Sequence, residues 1–262
     1  MAYTTIDDPG AYFNTVLYTG NGTAIGSGGN VITGVGFQSD MTWLKSRSHA
    51  YSQGLLDSVR GATQLIYPNA DWAGGANAES LTTWSADGFT VGSHNDANAS
   101  GQTFASWNFK AGTTTGIAGS PSITPSGYSF NATSGFSIIA YTGTGSVATL
   151  PHGLGVAPDC IMIKKLNATA SWVNYANTWL MGNTKAMHLN TTAIVATELN
   201  AWNSTSPTST LFTIGSEADV NSSSDTFIAY CFSNTKGFSH TGEYRGNGSS
   251  TQPPFIFTGF RP

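Results

Sequence analysis

Short apolar runs, alternating with threonine, serine or glycine and closed by turn residues, recur along the whole chain. A period of two marks β-strands with one buried face. It predicts strands over residues 13–17, 41–44, 89–91, 104–109, 136–141, 211–214 and 227–232, with a last one over 255–257. Residues 160–163, Cys-Ile-Met-Ile, are apolar at every position, which suits a strand buried on both faces. Helical periodicity is almost absent; residues 192–199 read as one or two helical turns. Residues 111–134 are glycine, serine, threonine and proline with few large apolar side chains, and read as a linker.

The pattern repeats. Phe89-Thr-Val-Gly92 and Phe104-Ala-Ser-Trp-Asn-Phe109 return as Phe212-Thr-Ile-Gly215 and Phe227-Ile-Ala-Tyr-Cys-Phe232, each 123 residues on. Tyr18-Thr-Gly-Asn-Gly22 returns as Tyr141-Thr-Gly-Thr-Gly145 at the same offset. Gly36-Phe-Gln-Ser-Asp40 returns as Gly155-Val-Ala-Pro-Asp159 after 119, so one hairpin is four residues shorter in the second copy. A third opening starts at Tyr244-Arg-Gly-Asn-Gly248. The expected fold is therefore all-β, with two tandem related antiparallel β-sandwich modules of jelly-roll type. Residues 1–12 form an extended leader, 13–110 module one, 111–134 the linker, and 135–262 module two with the first strands of another copy. Repetition favours a scaffold or an array of contact surfaces over one bespoke active site.

Composition sharpens this. Charged residues are 9% of the chain, against roughly 25% in ordinary soluble domains. Aromatics at 12% and regular alternation nevertheless argue for packed sheets over disorder. A net charge of −4 with 10 Lys+Arg disfavours nucleic acid, which needs clustered cations. No apolar run is long enough for a membrane span, and the N-terminus has no signal-peptide pattern. Cys160 and Cys231 fall inside strands and read as buried thiols, not as a disulfide framework.

Several motifs together resemble a domain of marine bacteriophage proteins, notably those of cyanophages. They are the opening Tyr12-Phe-Asn-Thr-Val-Leu-Tyr-Thr-Gly-Asn-Gly22, a GFxPDxxWIKxR-like stretch from Gly36 to Arg47, and the DxxRG-like Asp57-Ser-Val-Arg60-Gly61. Ser39 stands where that family usually has proline. Pro151 to Asp159, Trp202-Asn203 and 227–232 extend the resemblance through the second copy. It implies an exposed virion protein of tail-fibre or spike type that attaches to a host. A capsid decoration or head-fibre protein is the alternative, and a capsule depolymerase the more distant one. The partners so implied are other virion proteins, further copies of the chain (a trimer by analogy with fibres) and a host surface glycan. No catalytic residue carries over.

The residues agree in offering little catalytic chemistry. Asp57 and Arg60, three apart in a chain with few charges, read as a structural pair pinning a loop, ahead of a sugar or carboxylate site. Asp40 and Asp159, with Lys45 and Lys164, recur in both copies and therefore read as fold. The five histidines lack metal-ligand spacing, so neither metal nor cofactor is expected; His94-Asn95-Asp96 near Asp87 is the nearest approach to a metal site. His152 reads as bonding its own hairpin. Trp72, Trp84, Trp172, Trp179 and Trp202 lie in or beside polar loops, where an indole can stack on an apolar sugar face. The expectation is a non-enzymatic protein made in a host cytoplasm and carried on the virion.

Overall fold

The computed structural model describes residues 4–249 and 251–260. Module one runs through β1 (Phe13–Thr19), β2 (Asn30–Thr33), β3 (Met41–Ser46), β4 (Gly54–Asp57), the short pair β5 (Gln64–Leu65) and β6 (Gly75–Ala76), β7 (Leu81–Ser85), β8 (Gly88–Val91), the helical turn α1 (Asn95–Asn98) and β9 (Thr103–Phe109). After β10 (Gly127–Asn131), module two follows as β11 (Phe136–Thr142), β12 (Ala148–Pro151), β13 (Cys160–Lys165), β14 (Val173–Ala176), β15 (Lys185–His188), β16 (Ala196–Thr197), α2 (Leu199–Trp202), β17 (Leu211–Ile214), α3 (Ala218–Asn221) and β18 (Thr226–Phe232). The fold is all-β, and its ladders are antiparallel.

Strand order repeats with the sequence. The first main sheet is ordered β1-β9-β3-β4; the second contains β11-β18-β13-β14 within the seven-stranded order β10-β11-β18-β13-β14-β15-β16. Registers coincide as well. Phe13 faces Phe109 as Phe136 faces Phe232, and Met41 faces Phe109 as Cys160 faces Phe232. Each main sheet is backed by a small one, β2-β8-β7 in the first copy and β12-β17 in the second.

The alternation along each main strand explains the layering. In the first copy Val16, Tyr18, Leu44 and Leu56 point to the small sheet and pack with Phe89 and Val91. The intervening residues point the other way, where Met41, Leu55 and Phe109 meet Ile138, Ile228 and Tyr230 of the second copy in one cluster. The second copy's opposite face, with Ile139, Ile161, Val173 and Ala229, covers its own small sheet over Phe212 and Trp202. The two copies thus lie face to face; the central strands are buried on both sides, while the edge strand β1 leaves Thr15, Leu17 and Thr19 exposed. Four phenylalanines, equivalent in pairs, mark the seam. Phe109 lies 4.7 Å from Phe13, 5.3 Å from Phe136 and 5.8 Å from Phe232, and Phe136 lies 5.0 Å from Phe232.

The recurring Tyr-Thr-Gly-x-Gly motif is a clasp. Tyr18 stacks on Phe104 at 5.2 Å and donates its hydroxyl to the Ala97 carbonyl at 2.6 Å; Tyr141 stacks on Phe227 at 5.1 Å and donates to Val220 at 2.6 Å. The chain then crosses close beneath the helical turn. A Cβ on Gly20 would stand 2.2 Å from the Ala99 carbonyl oxygen, and one on Gly143 2.3 Å from that of Ser222. Asn98 and Asn221 close the clasp by accepting the Asn21 and Thr144 amides at 2.9 and 2.8 Å.

Three expectations need correction. The 111–134 segment is more than a linker: it holds β10, paired to β11, and a Thr113–Phe130 bridge. Its polar side chains are spent on the frame, since Ser129 is buried and bonds Asp40 and the Gly112 amide. The helical turn expected over 192–199 lies instead at Leu199–Trp202, where Ala201 and Trp202 are the buried residues. Residues 255–257 form no strand. Phe255 is 90% exposed and Phe257 77%, and Pro253 and Pro254 deny the segment two amide donors. Residues 1–3 of the expected leader, and Ser250, Arg261 and Pro262 of the expected second module, lie outside the described residues. In the rest of the leader Pro9–Ala11 make a 3-10 turn capped by Asp8.

The clasp gives the first test. Gly20→Ala is expected to destabilise the protein by on the order of 2 kcal/mol or more, because the contact is with backbone that cannot swing aside. Gly26→Ala, which meets nothing within 4 Å, is expected to be nearly neutral. Urea denaturation of the two variants side by side measures the difference.

Candidate functional site

Asp57 ends β4 and points into the seam between the copies, with no exposed surface. Arg60 folds back on it: Nε donates to Oδ2 at 2.6 Å and the backbone amide to Oδ1 at 2.8 Å. From the other copy the Tyr230 hydroxyl donates to the same Oδ2 at 2.5 Å. Arg60 Nη2 also reaches the Leu55 carbonyl at 3.2 Å and the Tyr230 oxygen at 3.4 Å. The indole of Trp172 stacks on Tyr230 at 6.3 Å. Burial drives the Tyr230 phenol well above its ordinary range, so it stays protonated as a donor. Desolvation works against the Arg60 charge, but Asp57 and Tyr230 outweigh it and hold the guanidinium protonated. The carboxylate accepts three hydrogen bonds and has no exposed surface. The triad occurs once, because the second copy has Ala176 and Trp179 at the positions of Asp57 and Arg60.

Asp40 and Asp159 do the same work twice. Asp40 accepts the Ser58 hydroxyl at 2.7 Å and the Ala111 amide at 2.8 Å; Asp159 accepts the Asn177 amide group at 3.1 Å and the Asn234 amide at 2.7 Å. Each ties the start of a central strand to the ends of its two neighbours. Lys45 donates to the Tyr51 carbonyl at 2.7 Å. Lys164 is fully buried, donates to the Lys165 carbonyl at 2.7 Å, and has its pKa pulled down to about 8 by desolvation, against the pull of Asp219 and Asp71. Cys231 is buried and Cys160 nearly so; desolvation raises both thiols, Cys160 to about 12, so neither is a ready nucleophile.

Asp87 is not near-metal chemistry, since it accepts the Gly34 and Gly36 amides at 3.1 and 2.7 Å. His94 Nδ1 stands 4.0 Å from Asp96. Among the described residues no three His, Cys, Asp or Glu side chains gather to hold a metal ion. His152 is buried; its Nδ1 accepts the Leu154 amide at 3.2 Å, which leaves Nε2–H to donate to the Thr208 carbonyl at 3.1 Å. It bonds its own hairpin, and the next loop as well.

The tryptophans divide. Trp172 and Trp202 are buried, with indole N–H groups donated to the Tyr67 and Lys185 carbonyls at 2.9 and 3.1 Å. Neither has a face to offer a sugar. Trp84 is half-buried against the first core and donates to Thr42 at 3.0 Å. Trp72 is 52% exposed, set edge-on to Tyr67 at 5.0 Å, and Trp179 is 84% exposed. Trp179 opens the excursion between β14 and β17, residues 177–210, which has the most distinctive surface of the molecule. Leu180, Met187, Ile194 and Leu199 are exposed along it. Glu198 donates its amide to the Thr184 carbonyl at 3.0 Å, which holds the start of α2 beside the turn that follows Trp179 and Leu180. Sequence reading picked Trp179 but missed its apolar neighbours, because scattered leucines and isoleucines in a loop carry no period.

A cleft of about 700 Å³ opens beside Asp40, bordered by Gln38, Lys110, Thr114 and Tyr128. Its one carboxylate is already engaged by Ser58, Ser129 and Ala111.

The chain belongs to the family described as a domain of unknown function, DUF7483, which matches residues 8–262. No curated protein and no solved structure matches it.

The seam and His152 generate two tests. Asp57→Ala, which leaves Arg60 buried without its partner, is expected to cost about 3–5 kcal/mol, and Tyr230→Phe about 1–3 kcal/mol; chemical denaturation reads both. For His152, desolvation lowers the folded pKa below the ordinary 6.5. The unfolded chain therefore takes up the proton first. Its contribution is complete above pH 6.5 and is lost as pH falls below that value. Melting temperatures of wild type and His152→Gln from pH 7.5 down are expected to differ in slope only on the acid side.

Proposed function

We propose that this chain is a non-enzymatic, exposed structural protein of a phage particle, an adhesin of tail-fibre or spike type. In this reading it is built into the virion with other particle proteins and with further copies of itself. It meets a host surface glycan through the 177–210 excursion. The observation that carries the reading is the contrast between two sets of side chains. Asp57, Arg60, Asp40, Asp159 and His152, the groups with chemistry to offer, are engaged in holding strands together. Trp179, Leu180, Ile194 and Leu199 are presented outward on a surface with few charges.

A neutral, hydroxyl-rich surface with protruding indoles suits carbohydrate, whose C–H faces stack on aromatic rings while its hydroxyls exchange with serine and threonine. The resemblance to marine phage proteins supplies the biological setting. What distinguishes the copies also favours this placement. The four core strands of each main sheet correspond one to one, whereas the stretch before the last small-sheet strand differs: it carries β5, β6 and β7 in the first copy and β15, β16 and α2 in the second, and binding residues concentrate on such loops over a rigid scaffold.

Gold-labelled antibody against the chain is expected to decorate fibres or spikes on particles. Label confined to capsid faces would replace the adhesin by a decoration protein. Trp179→Ala is expected to weaken binding to host cells roughly tenfold or more, with Trp84→Phe unchanged. Release of reducing ends from host polysaccharide by the purified chain would overturn the non-enzymatic reading.

A further inference from the structure

The two copies differ at one edge of their main sheets. In the second copy, β10 lies along β11 and pairs with it from Gly127↔Ala140 to Asn131↔Phe136. In the first copy the equivalent strand β1 is the outermost of its sheet, and among the described residues no strand pairs with its outer side. The Thr15 amide meets its neighbour Asn14 Oδ1 at 3.1 Å and the Thr19 carbonyl takes the Asn30 side chain at 3.1 Å, so the edge is open chiefly around Leu17, with the side chains of Thr15, Leu17 and Thr19 exposed along it. An open edge is a template for another strand.

What β10 brings to its slot is an aromatic pair two residues apart, Tyr128 and Phe130, with rings 6.1 Å apart; Tyr128 packs against the second core. Residues two apart on a strand share a face. The same spacing occurs in Phe255-Ile256-Phe257, the exposed apolar segment near the C-terminus, which pairs with no strand of its own chain among the described residues. Among the described residues, one chain therefore holds an acceptor edge without a donor strand and an aromatic segment without a partner strand.

We infer that the segment around Phe255–Phe257 of one copy adds to the β1 edge of a second copy, in the slot that β10 fills in module two. The occupant is another molecule of this chain. Backbone hydrogen bonds would supply the attachment, and the two phenylalanines the side-chain contact. Because donor and acceptor lie on different patches, the contact is head-to-tail, and repeated it closes a ring or extends a chain. The inference deepens the self-association in the proposed function and is independent of what the 177–210 surface binds.

The test uses the full-length chain. Thr15→Cys and Ile256→Cys are made as separate variants and mixed under mild oxidation. A disulfide-linked species of doubled mass in the mixture, absent from either variant alone, is the expected result. Linkage in Thr15→Cys alone would mean that two β1 edges pair with each other, and linkage in Ile256→Cys alone that two C-terminal segments do; either overturns the proposal. Leu17→Lys, at an exposed position, and Phe255→Ser with Phe257→Ser are each expected to reduce the light-scattering mass to that of the monomer while the melting profile is retained. A wild-type chain that is monomeric at its highest soluble concentration would also refute it. Host-cell binding by that monomer would leave the adhesin reading standing.

Discussion

A carboxylate enclosed between two sheets must be fully partnered or it unfolds the site around it. Asp57 sets that condition at the centre of this molecule. Its partners come from both copies, Arg60 from the turn after β4 and Tyr230 from the central strand β18. The condition is met only when the two main sheets face each other in one register. Apolar contacts in the seam, phenylalanine on phenylalanine, would tolerate sliding; a buried hydrogen-bonded charge pair would not. The apolar layer supplies the bulk of the attraction, and the triad selects the alignment. Trp172, itself buried, stacks on Tyr230.

Much of this frame could be read from the chain. The period-two runs located seven of the principal strands within a residue or two of their ends, because each has a buried face that enforces alternation, and an unbroken apolar run located β13. The common offset foretold that the copies would share strand order. The seam itself was visible only as a hint, in the unbroken apolar run Cys-Ile-Met-Ile of β13. What escaped was whatever depends on distant partners. β10 hides in a segment of turn-forming residues, since its place is set by the open side of β11 and by Asp40, 89 residues from Ser129. Trp172 and Trp202 sit among polar neighbours in sequence and are buried in space; composition averaged over a loop cannot tell an indole that dives inward from one that projects. Asp57 and Arg60 were legible as a pair, but Tyr230, 173 residues from Asp57, was not.

Duplication lets the fold separate two kinds of residue. Positions that do the same job in both halves, such as Tyr18 and Tyr141 or Asp40 and Asp159, define the frame. Positions that diverge show where the halves took on different tasks. Inside the first copy Thr42, Ser106 and Asn108 form a buried polar chain, with Thr42 bonded to Asn108 at 3.2 Å and Asn108 to Ser106 at 3.0 Å. The second copy has Ile161, Ala229 and Cys231 there, an apolar replacement. The second copy is thus the better-stocked core, and it is the half that carries the larger excursion on its surface.

The order of pairing in the main sheets also governs when the chain can fold. β1 closes onto β9 across some 90 residues, and β11 onto β18 across a comparable span. Neither central ladder can form until nearly a whole copy has left the ribosome. Even then, the outward face of the first sheet waits for the second to cover it. Non-local pairing of this kind makes for slow folding and a long exposure of apolar strands to wrong partners. A chain with this topology is therefore most vulnerable during synthesis, between completion of its first half and arrival of its second.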